Sequence, residues 1–375
     1  MLSQKDYLRY ARHLSLDEVG EKGQLKLKVA RVLLVGLGGL GCPVAQYLTA
    51  AGVGTLGLVE FDLVDFSNLQ RQVLHSEDSV GSPKIDSAAS SLSKLNSDLN
   101  LVLHEIRLNS ENAQELVASY DIVVDGSDNF TTRYLLNDAC VLEDRPYVSA
   151  AIYKFEGQLA VFNYQGGPCY RCLYPKPPTG DLVPNCSEAG VLGVLPGIMG
   201  TLQAMETIKI ILDIGDVCSE HLLLYDALST SFRKMKIKSK SSCKLCGENP
   251  EINSIRSISK DQVNQVEPIK IIEWDVKKLF EARKSGKSPL VLDVREAYEL
   301  KIASLSDVIH IPMNEVGLRT AEIPTDQEIV VMCRSGKRSL KVCEQLLSLG
   351  YDRVYNLRGG ILDWSDQIDQ SIQKY

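Results

Sequence analysis

The sequence predicts an α/β protein in which a doubly wound, mainly parallel sheet is followed by a second, smaller α/β unit. Three observations predict this. An apolar run of strand length meets a glycine cluster and then a helical pattern in RVLLVGLGGLGCPVAQYLTAAG (31–52). Strand-like and helix-like stretches then alternate as far as residue 153, the pattern of a parallel sheet covered on both faces. A further strand, short loop and helix stand in EIVVMCRSGKRSLKVCEQLLSLGY (328–351).

Taken in order, RVLLV opens the first strand and CPVAQYLTAAG the first helix, with Gly52 as its stop signal. TLGLVEFD (55–62), YDIVVDGSDN (120–129) and PYVSAAIY (146–153) read as further buried strands. KIDSAASSLSKLN (84–96) and NAQELVASY (112–120) read as helices between them. The most hydrophobic run, AGVLGVLPGIMGTLQA (189–204), is broken by Gly and Pro and followed by Glu206 and Lys209. A membrane span needs about 20 largely uninterrupted apolar residues, so a buried helix is expected. In SFRKMKIKSKSSCK (231–244) six basic residues occur with no acid, and Lys234, Lys236, Lys238 and Lys240 alternate as on the solvent face of an edge strand. Polar residues 248–267 read as a linker between units at 1–247 and 268–375. In the second unit LVLDVRE (290–296) and VYNLRGGILDW (354–364) supply further strands, and Gly350 stops the helix after 337.

Composition agrees with this division. A chain of 375 residues, 44% hydrophobic and 24% charged, fits two or three globular domains. The net charge of −7 belongs wholly to residues 1–267, because 268–375 hold 16 basic and 16 acidic residues. An acidic body is a poor nucleic-acid platform. The polar start MLSQKDYLRYARHL has no apolar signal region, so a cytoplasmic protein with reduced thiols and no membrane partner is expected.

Gly36-x-Gly38-Gly39-x-Gly41 lies between a strand and a helix, with Glu60 about 20 residues on. Such glycines let the backbone approach a phosphate at a helix N-terminus, and the acid can take ribose hydroxyls. Alone this is a Rossmann-like dinucleotide fingerprint, and a nicotinamide-dependent oxidoreductase is the simplest alternative. The residues beyond Glu60 depart from that pattern. Asp62 and then Ser67-Asn68-Leu69-Gln70-Arg71-Gln72 come after the second strand, followed by Gly81-x-Pro83-Lys84 and by Asp125-Gly126-Ser127-Asp128-Asn129 at the end of a later strand. Arg71 and Lys84 can neutralise a triphosphate, and Asp128 sits where a Mg²⁺ carboxylate is wanted.

GLGGLG, SNLQRQ, GSPK, DGSDN and RYARH (9–13) together resemble the MoeB/ThiF group of ubiquitin-activating-type adenylyltransferases, over about residues 1–247. The resemblance implies that ATP adenylates the C-terminal Gly-Gly carboxylate of a ubiquitin-like sulfur carrier protein. It implies the glycine loop and Glu60 for the nucleotide, Asn68, Arg71 and Lys84 for phosphates, and Asp128 for Mg²⁺ and catalysis. Glu60 stands where Asp is usual in that group. Arg12 resembles the arginine that enters a neighbouring subunit's site, which implies a homodimer.

Cys169-x-x-Cys172 and Cys243-x-x-Cys246 are two pairs 70 residues apart. Four thiolates make a closed, structural Zn²⁺ site. A redox role for one pair is the alternative. The resembled family has its zinc in these places. Cys186, in LVPNCSEAGV, resembles the family cysteine that takes a thioester or acyl-disulfide link. Cys42, Cys140, Cys218 and Cys343 read as packing residues.

Cys333 opens Cys333-Arg334-Ser335-Gly336-Lys337-Arg338-Ser339 between a strand and a helix, where backbone N–H groups and cations favour a thiolate or persulfide. A cysteine phosphatase wants His before the cysteine and Arg six residues after it; here those positions are Met332 and Ser339. The loop resembles that of rhodaneses, as do Asp293-Val294-Arg295-Glu296 and HIP (310–312), although KIASLSDV (301–308) replaces the usual GHIPGA. The two resemblances imply a fused adenylyltransferase and sulfurtransferase of a molybdopterin, thiamine or tRNA-thiolation pathway. It would be supplied with sulfur by a donor such as a cysteine desulfurase or thiosulfate. An oxidoreductase with a rhodanese docking module and a non-enzymatic scaffold remain as alternatives.

Overall fold

The computed structural model describes residues 1–177, 190–255, 271–286 and 288–375. The chain divides into two compact units, Met1–Asn264 and Gln265–Tyr375.

In the first unit, β1 (Arg31–Val35), β2 (Thr55–Val59), β3 (Asn100–His104), β4 (Ile122–Asp125), β5 (Tyr147–Tyr153), β6 (Glu156–Phe162), β7 (His221–Asp226) and β8 (Ser231–Lys236) form one sheet in the order β3-β2-β1-β4-β5-β6-β7-β8. The pairs from β3 to β5 are parallel; β5–β6, β6–β7 and β7–β8 are antiparallel. Helices α1 (Gln4–Arg9), α2 (Ala11–Leu14) and α3 (Gly20–Val29) precede the sheet. Then α4 (Gly41–Ala51), α5 (Lys84–Leu95), α6 (Ala113–Ala118) and α7 (Phe130–Leu142) connect the parallel strands, while α8 (Tyr170–Leu173) and α9 (Val194–Leu212) lie between β6 and β7.

Val32, Leu33 and Leu34 are wholly buried, as expected of a central strand covered on both faces. One core packs Leu34, Leu48, Leu92 and Met199 together, and the other packs Leu33, Val117, Leu136 and Phe162. The hydrophobic run expected to be a buried helix is α9, which packs on α4, β5 and β6. Gly200 permits that approach, since a Cβ there would lie 2.3 Å from the Leu40 carbonyl oxygen. Of the alternating lysines, Lys234 and Lys236 fall on β8, which is exposed along its length at the sheet edge, whereas Lys238 and Lys240 lie exposed beyond its end. The sheet is less parallel than the alternation suggested, because β6, β7 and β8 turn back on themselves.

β1 lies between β2 and β4, so the strand order reverses there and opens a crevice at the carboxyl ends of the strands. No helix among the described residues is long and apolar enough to cross a membrane.

The second unit contains β9 (Ile272–Trp274), α10 (Val276–Lys284), β10 (Leu290–Asp293), α11 (Ala297–Ile302), β11 (Val308–His310), β12 (Ile329–Met332), α12 (Lys337–Ser348), β13 (Val354–Leu357) and α13 (Gly360–Gln367). Its sheet runs β11-β10-β12-β13-β9 and is parallel throughout. Val291, Val330 and Leu292 are wholly buried within it. Gly350 has φ +94°, the left-handed turn that ends α12.

Candidate functional site

The glycine loop leaves β1 at the crevice. Gly36 has φ +90°, and a Cβ there would lie 3.0 Å from the Gly126 carbonyl. At Gly41 a Cβ would meet the Gly36 oxygen at 1.9 Å. These two positions admit only glycine because the loop folds onto itself and onto the end of β4. Gly38 is open, with nothing nearer than 3.8 Å, and Gly39 backs onto Pro196.

Glu60, 7% exposed, braces this loop. It accepts the N–H of Leu37 at 2.9 Å through Oε2, and those of Phe61 and Asp62 at 2.8 and 3.0 Å through Oε1. His75 carries no signal in the sequence, yet its Nε2 meets the Leu37 carbonyl at 3.2 Å and its Nδ1 the Ser87 hydroxyl at 2.9 Å. Burial pushes its imidazole below the ordinary histidine value.

Ser67 and Asn68 lie in a short 3₁₀ turn capped by Asp65. Arg71 follows, its Nη1 donating to the Ser67 carbonyl at 3.2 Å, and its stem lies beside Gly39. Lys84 begins α5, is 6% exposed, and stands 3.4 Å from Asp62. The structure thus gathers Gly36, Gly41, Glu60, Asp62, Arg71 and Lys84 about one crevice. Arg12 lies exposed on α2.

Across the crevice the DGSDN stretch divides its labour. Asp125 is wholly buried and accepts from the Ser127 N–H at 2.9 Å and from the Tyr147 hydroxyl at 2.6 Å. Arg133 Nε lies 3.7 Å from the same carboxylate. Burial, with the charge of Asp125 added, raises the Tyr147 phenol, so it stays a donor. Asn129 caps α7 by accepting the Thr132 N–H at 2.8 Å. Asp128 is left exposed, on the wall of a cavity of about 350 Å³ shared with Phe130, Arg133, Tyr134 and Tyr153. The sequence offered one signal for Asp125, its place at the end of an apolar strand, and none for Arg133 or Tyr147.

The four cysteines converge, with their sulfurs all within 4.8 Å of one another. Cys169–Cys243 is 3.6 Å, Cys172–Cys246 3.4 Å and Cys169–Cys172 3.9 Å. Tetrahedral thiolates about 2.3 Å from zinc lie about 3.8 Å apart, so this set fits a closed zinc site. Bidentate Arg171–Asp138 bonds of 2.6 Å and the Tyr170 N–H on Asn137 Oδ1 at 2.7 Å fix the first pair to α7. Lys240 donates its N–H to Cys172 Sγ at 3.4 Å, the outer-shell contact a thiolate ligand favours. Cys42, Cys140, Cys218 and Cys343 are buried in packing positions. Cys186 lies outside the described residues.

In the second unit Cys333 follows β12 and is 1% exposed. Its sulfur accepts the Gly336 N–H at 3.2 Å and the Ser339 hydroxyl at 3.3 Å. Gly336 has φ +88°, and α13 supports the loop from below, its Ile361 N–H bonding the Cys333 carbonyl at 3.0 Å. Asp293 and Arg295 are wholly buried and pair at 2.6 Å. They are scaffold, therefore, and not part of the reacting surface. Arg338 is held by Glu299 at 2.6 and 2.7 Å. Tyr375 donates its hydroxyl to the same carboxylate at 2.8 Å and accepts from Arg295 at 2.7 Å. Burial raises Glu299, but the bonds from Arg338, the Glu296 N–H and the Tyr375 hydroxyl together outweigh it and hold the carboxyl below its usual range.

A doubly wound sheet with a braced glycine loop at its switch point, and a separate parallel unit that cradles a cysteine, define a nucleotide-binding unit fused to a rhodanese-like one. Residues 10–246 match the ThiF family, and residues 275–367 match the rhodanese-like domain. The chain belongs to the ThiF family. It is 42% identical to a Sus scrofa protein named adenylyltransferase and sulfurtransferase MOCS3 over 406 aligned positions, 100% of this chain and 89% of that protein. It is also 42% identical to a protein of that name from Aedes aegypti over 396 positions, 100% of this chain and 90% of that one. The crystal structure of E. coli MccB with MccA-N7isoASN superposes with a TM-score of 0.58 at 25% identity, covering 64% of this chain and 75% of that chain.

Proposed function

We propose that the first unit adenylates the C-terminal Gly-Gly carboxylate of a ubiquitin-like sulfur carrier and that the second delivers sulfur to it as a thiocarboxylate. The observation that carries the reading is the pairing, in one chain, of a braced glycine loop flanked by Arg71 and Lys84 with a buried cysteine cradled by N–H and O–H donors.

In the first step a carboxylate oxygen attacks the α-phosphorus of ATP and pyrophosphate departs. Both reactants are anions, so fixed cations have the largest part to play. Arg71 and Lys84 offset phosphate charge, Ser67 and Asn68 position it, and Gly36, Gly38, Gly39 and Gly41 let the backbone approach. Glu60 and Asp62 hold the nucleotide edge, and Asn129 orients Asp128 at the start of α7. Asp128 would hold Mg²⁺, which would offset charge on the leaving pyrophosphate. Arg12 reaches a neighbouring subunit's site in a homodimer. Cys169, Cys172, Cys243 and Cys246 would hold one structural zinc.

In the second step Cys333 carries a persulfide received from a cysteine desulfurase or thiosulfate. Its terminal sulfur attacks the adenylated carbonyl carbon and AMP leaves, giving an acyl disulfide on Cys333. A thiol reductant then attacks Cys333 Sγ, the S–S bond breaks and the thiocarboxylate departs. Cys333 is left in a mixed disulfide that a second thiol reduces. Cys186 is the candidate for a covalent acyl link. The units are taken as 1–247 and 268–375 with 248–267 between them, in a cytoplasmic protein. Fusion raises the local concentration of donor near acceptor.

ATP–pyrophosphate exchange with Gly-Gly-tailed carriers tests the reading. Exchange is expected with a matching carrier and is lost in Asp128→Ala. No exchange with any carrier would overturn adenylation, and full exchange in Asp128→Ala would remove that residue's role.

A further inference from the structure

Ser339 is wholly buried and has one hydroxyl proton for two acceptors. Its Oγ lies 2.6 Å from Asn356 Oδ1 and 3.3 Å from Cys333 Sγ. The Asn356 amide cannot simply turn away, because its Nδ2 donates to Glu273 Oε1 at 2.9 Å, across the β13–β9 pairing of Asn356 with Glu273. Oδ1 is therefore held facing Ser339.

We propose that Ser339 and Asn356 are a positioning pair that sets the proton affinity of the Cys333 sulfur. In the thiol form S–H donates to Ser339 Oγ, and the Ser339 proton goes to Asn356. When the sulfur becomes an anion, the Ser339 proton turns to it, joining the Gly336 N–H, and Asn356 Oδ1 loses its donor. Asn356 thus competes with the sulfur, and Ser339 stabilises the anion only at the cost of that contact. No covalent bond changes among the heavy atoms; one proton leaves the sulfur for solvent and one hydroxyl rotates.

Other charged groups surround the sulfur. Arg334, Lys337 and Arg338 belong to its loop and to α12, and Arg338 is already engaged by Glu299 of α11. Cys343 lies behind it on α12, Glu273 on β9 and Asp363 on α13. At the end of β10, where Asp293 pairs with Met332 in the sheet, Asp293 and Arg295 neutralise each other. All of these stay in place when Ser339 or Asn356 is changed, so they cancel in the comparison.

The importance of Cys333 rests on the function proposed above, but the test does not need turnover. In the full-length chain, the rate of Cys333 alkylation by iodoacetamide is followed from pH 5 to 9, with peptide mass mapping to separate it from the other cysteines. Ser339→Ala should raise the midpoint by about one pH unit, a tenfold slower reaction below it. Asn356→Ala should lower the midpoint, because the Ser339 proton is freed for the sulfur. Ser339→Thr should restore the wild-type profile. In the double variant Ser339→Ala/Asn356→Ala, the effect of the asparagine change should vanish. Shifts of the same sign, no shift in Ser339→Ala, or an Asn356→Ala effect that survives without Ser339 would overturn the proposal. If Asn356→Ala fails to fold, Glu273→Ala, at an exposed residue, releases the amide in its place. Because it also removes a charge near the sulfur, part of its shift persists in the Ser339→Ala background, and an equal shift in the two backgrounds would overturn the proposal. Failure of wild-type Cys333 to take sulfur from thiosulfate or a desulfurase would count against the proposed function and leave the alkylation result standing.

Discussion

Glu60 Oε2 accepts the backbone N–H of Leu37 at 2.9 Å, so the acid at the end of β2 is a strut for the glycine loop. Its second oxygen takes two more N–H groups, from Phe61 and Asp62. A residue expected to meet a ribose thus already has structural work before nucleotide arrives.

Glu60→Gln retains the shape but replaces one accepting oxygen with a donor. At least one buried N–H then lacks a partner, a loss of about 1–3 kcal/mol. The midpoint of urea unfolding should fall accordingly, and ATP should bind more weakly in equilibrium dialysis. An unchanged midpoint would show that the strut is dispensable.

The four-cysteine cluster should hold one zinc per chain, read by elemental analysis of purified protein. Cys243→Ser should lose the metal and lower the melting temperature, since the site ties residues 169–172 to 243–246. Metal-free protein with four titratable thiols at these positions would remove the zinc assignment.

The two steps should separate by mutation. Cys333→Ser should abolish sulfur transfer from thiosulfate to cyanide and leave carrier-dependent ATP–pyrophosphate exchange intact. Asp128→Ala should do the reverse. Loss of both activities in either variant would contradict one step per unit.

His75 should make stability fall with acid. Burial depresses its folded-state pKa below the ordinary value of about 6.5. The unfolded chain then binds the proton more readily. The contribution is complete above about pH 6.5 and is lost as pH drops through the folded value. Melting temperatures measured between pH 7 and 5 should decline, and His75→Gln should flatten that part of the profile.

Gly336→Ala should cost about 1–2 kcal/mol, because φ +88° is unfavourable for any residue with a Cβ. The added carbon would also stand 3.0 Å from the Gly359 nitrogen. Cys333 reactivity should fall with stability, as read by alkylation and chemical denaturation together.

The parts of this molecule legible in its sequence are those written in local pattern. The strand–glycine–helix passage at 31–52, the edge lysines of β8 and the loop from Cys333 to Ser339 each carry their signal within a few residues. The two C-x-x-C pairs are legible as a set because four sulfurs of one kind restrict the chemistry. The illegible parts are long-range and lie between side chains. Nothing near residue 125 reveals that Tyr147 and Arg133 close on its carboxylate. Nothing near 339 reveals Asn356, 17 positions away. Asp125 and Asp128 look equivalent in DGSDN; only the fold buries one and leaves the other at the rim. The antiparallel return of β6, β7 and β8 escapes a sequence reading because the run from His221 to Asp226 has no turn signal that distinguishes hairpin from crossover.

β9 is the first strand of the second unit in sequence, and its neighbour is β13, the last. A ribosome therefore emits Ile272–Trp274 long before Val354–Leu357 exist to receive them. Parallel pairing between such distant segments makes for slow folding, since a long loop must close before its contacts form. The floor of the Cys333 loop comes from the same late stretch, including Gly359, Gly360 and Ile361. A nascent chain thus carries Cys333 without this floor until residues 359–361 have been made, and in that interval the thiol is open to any oxidant it meets.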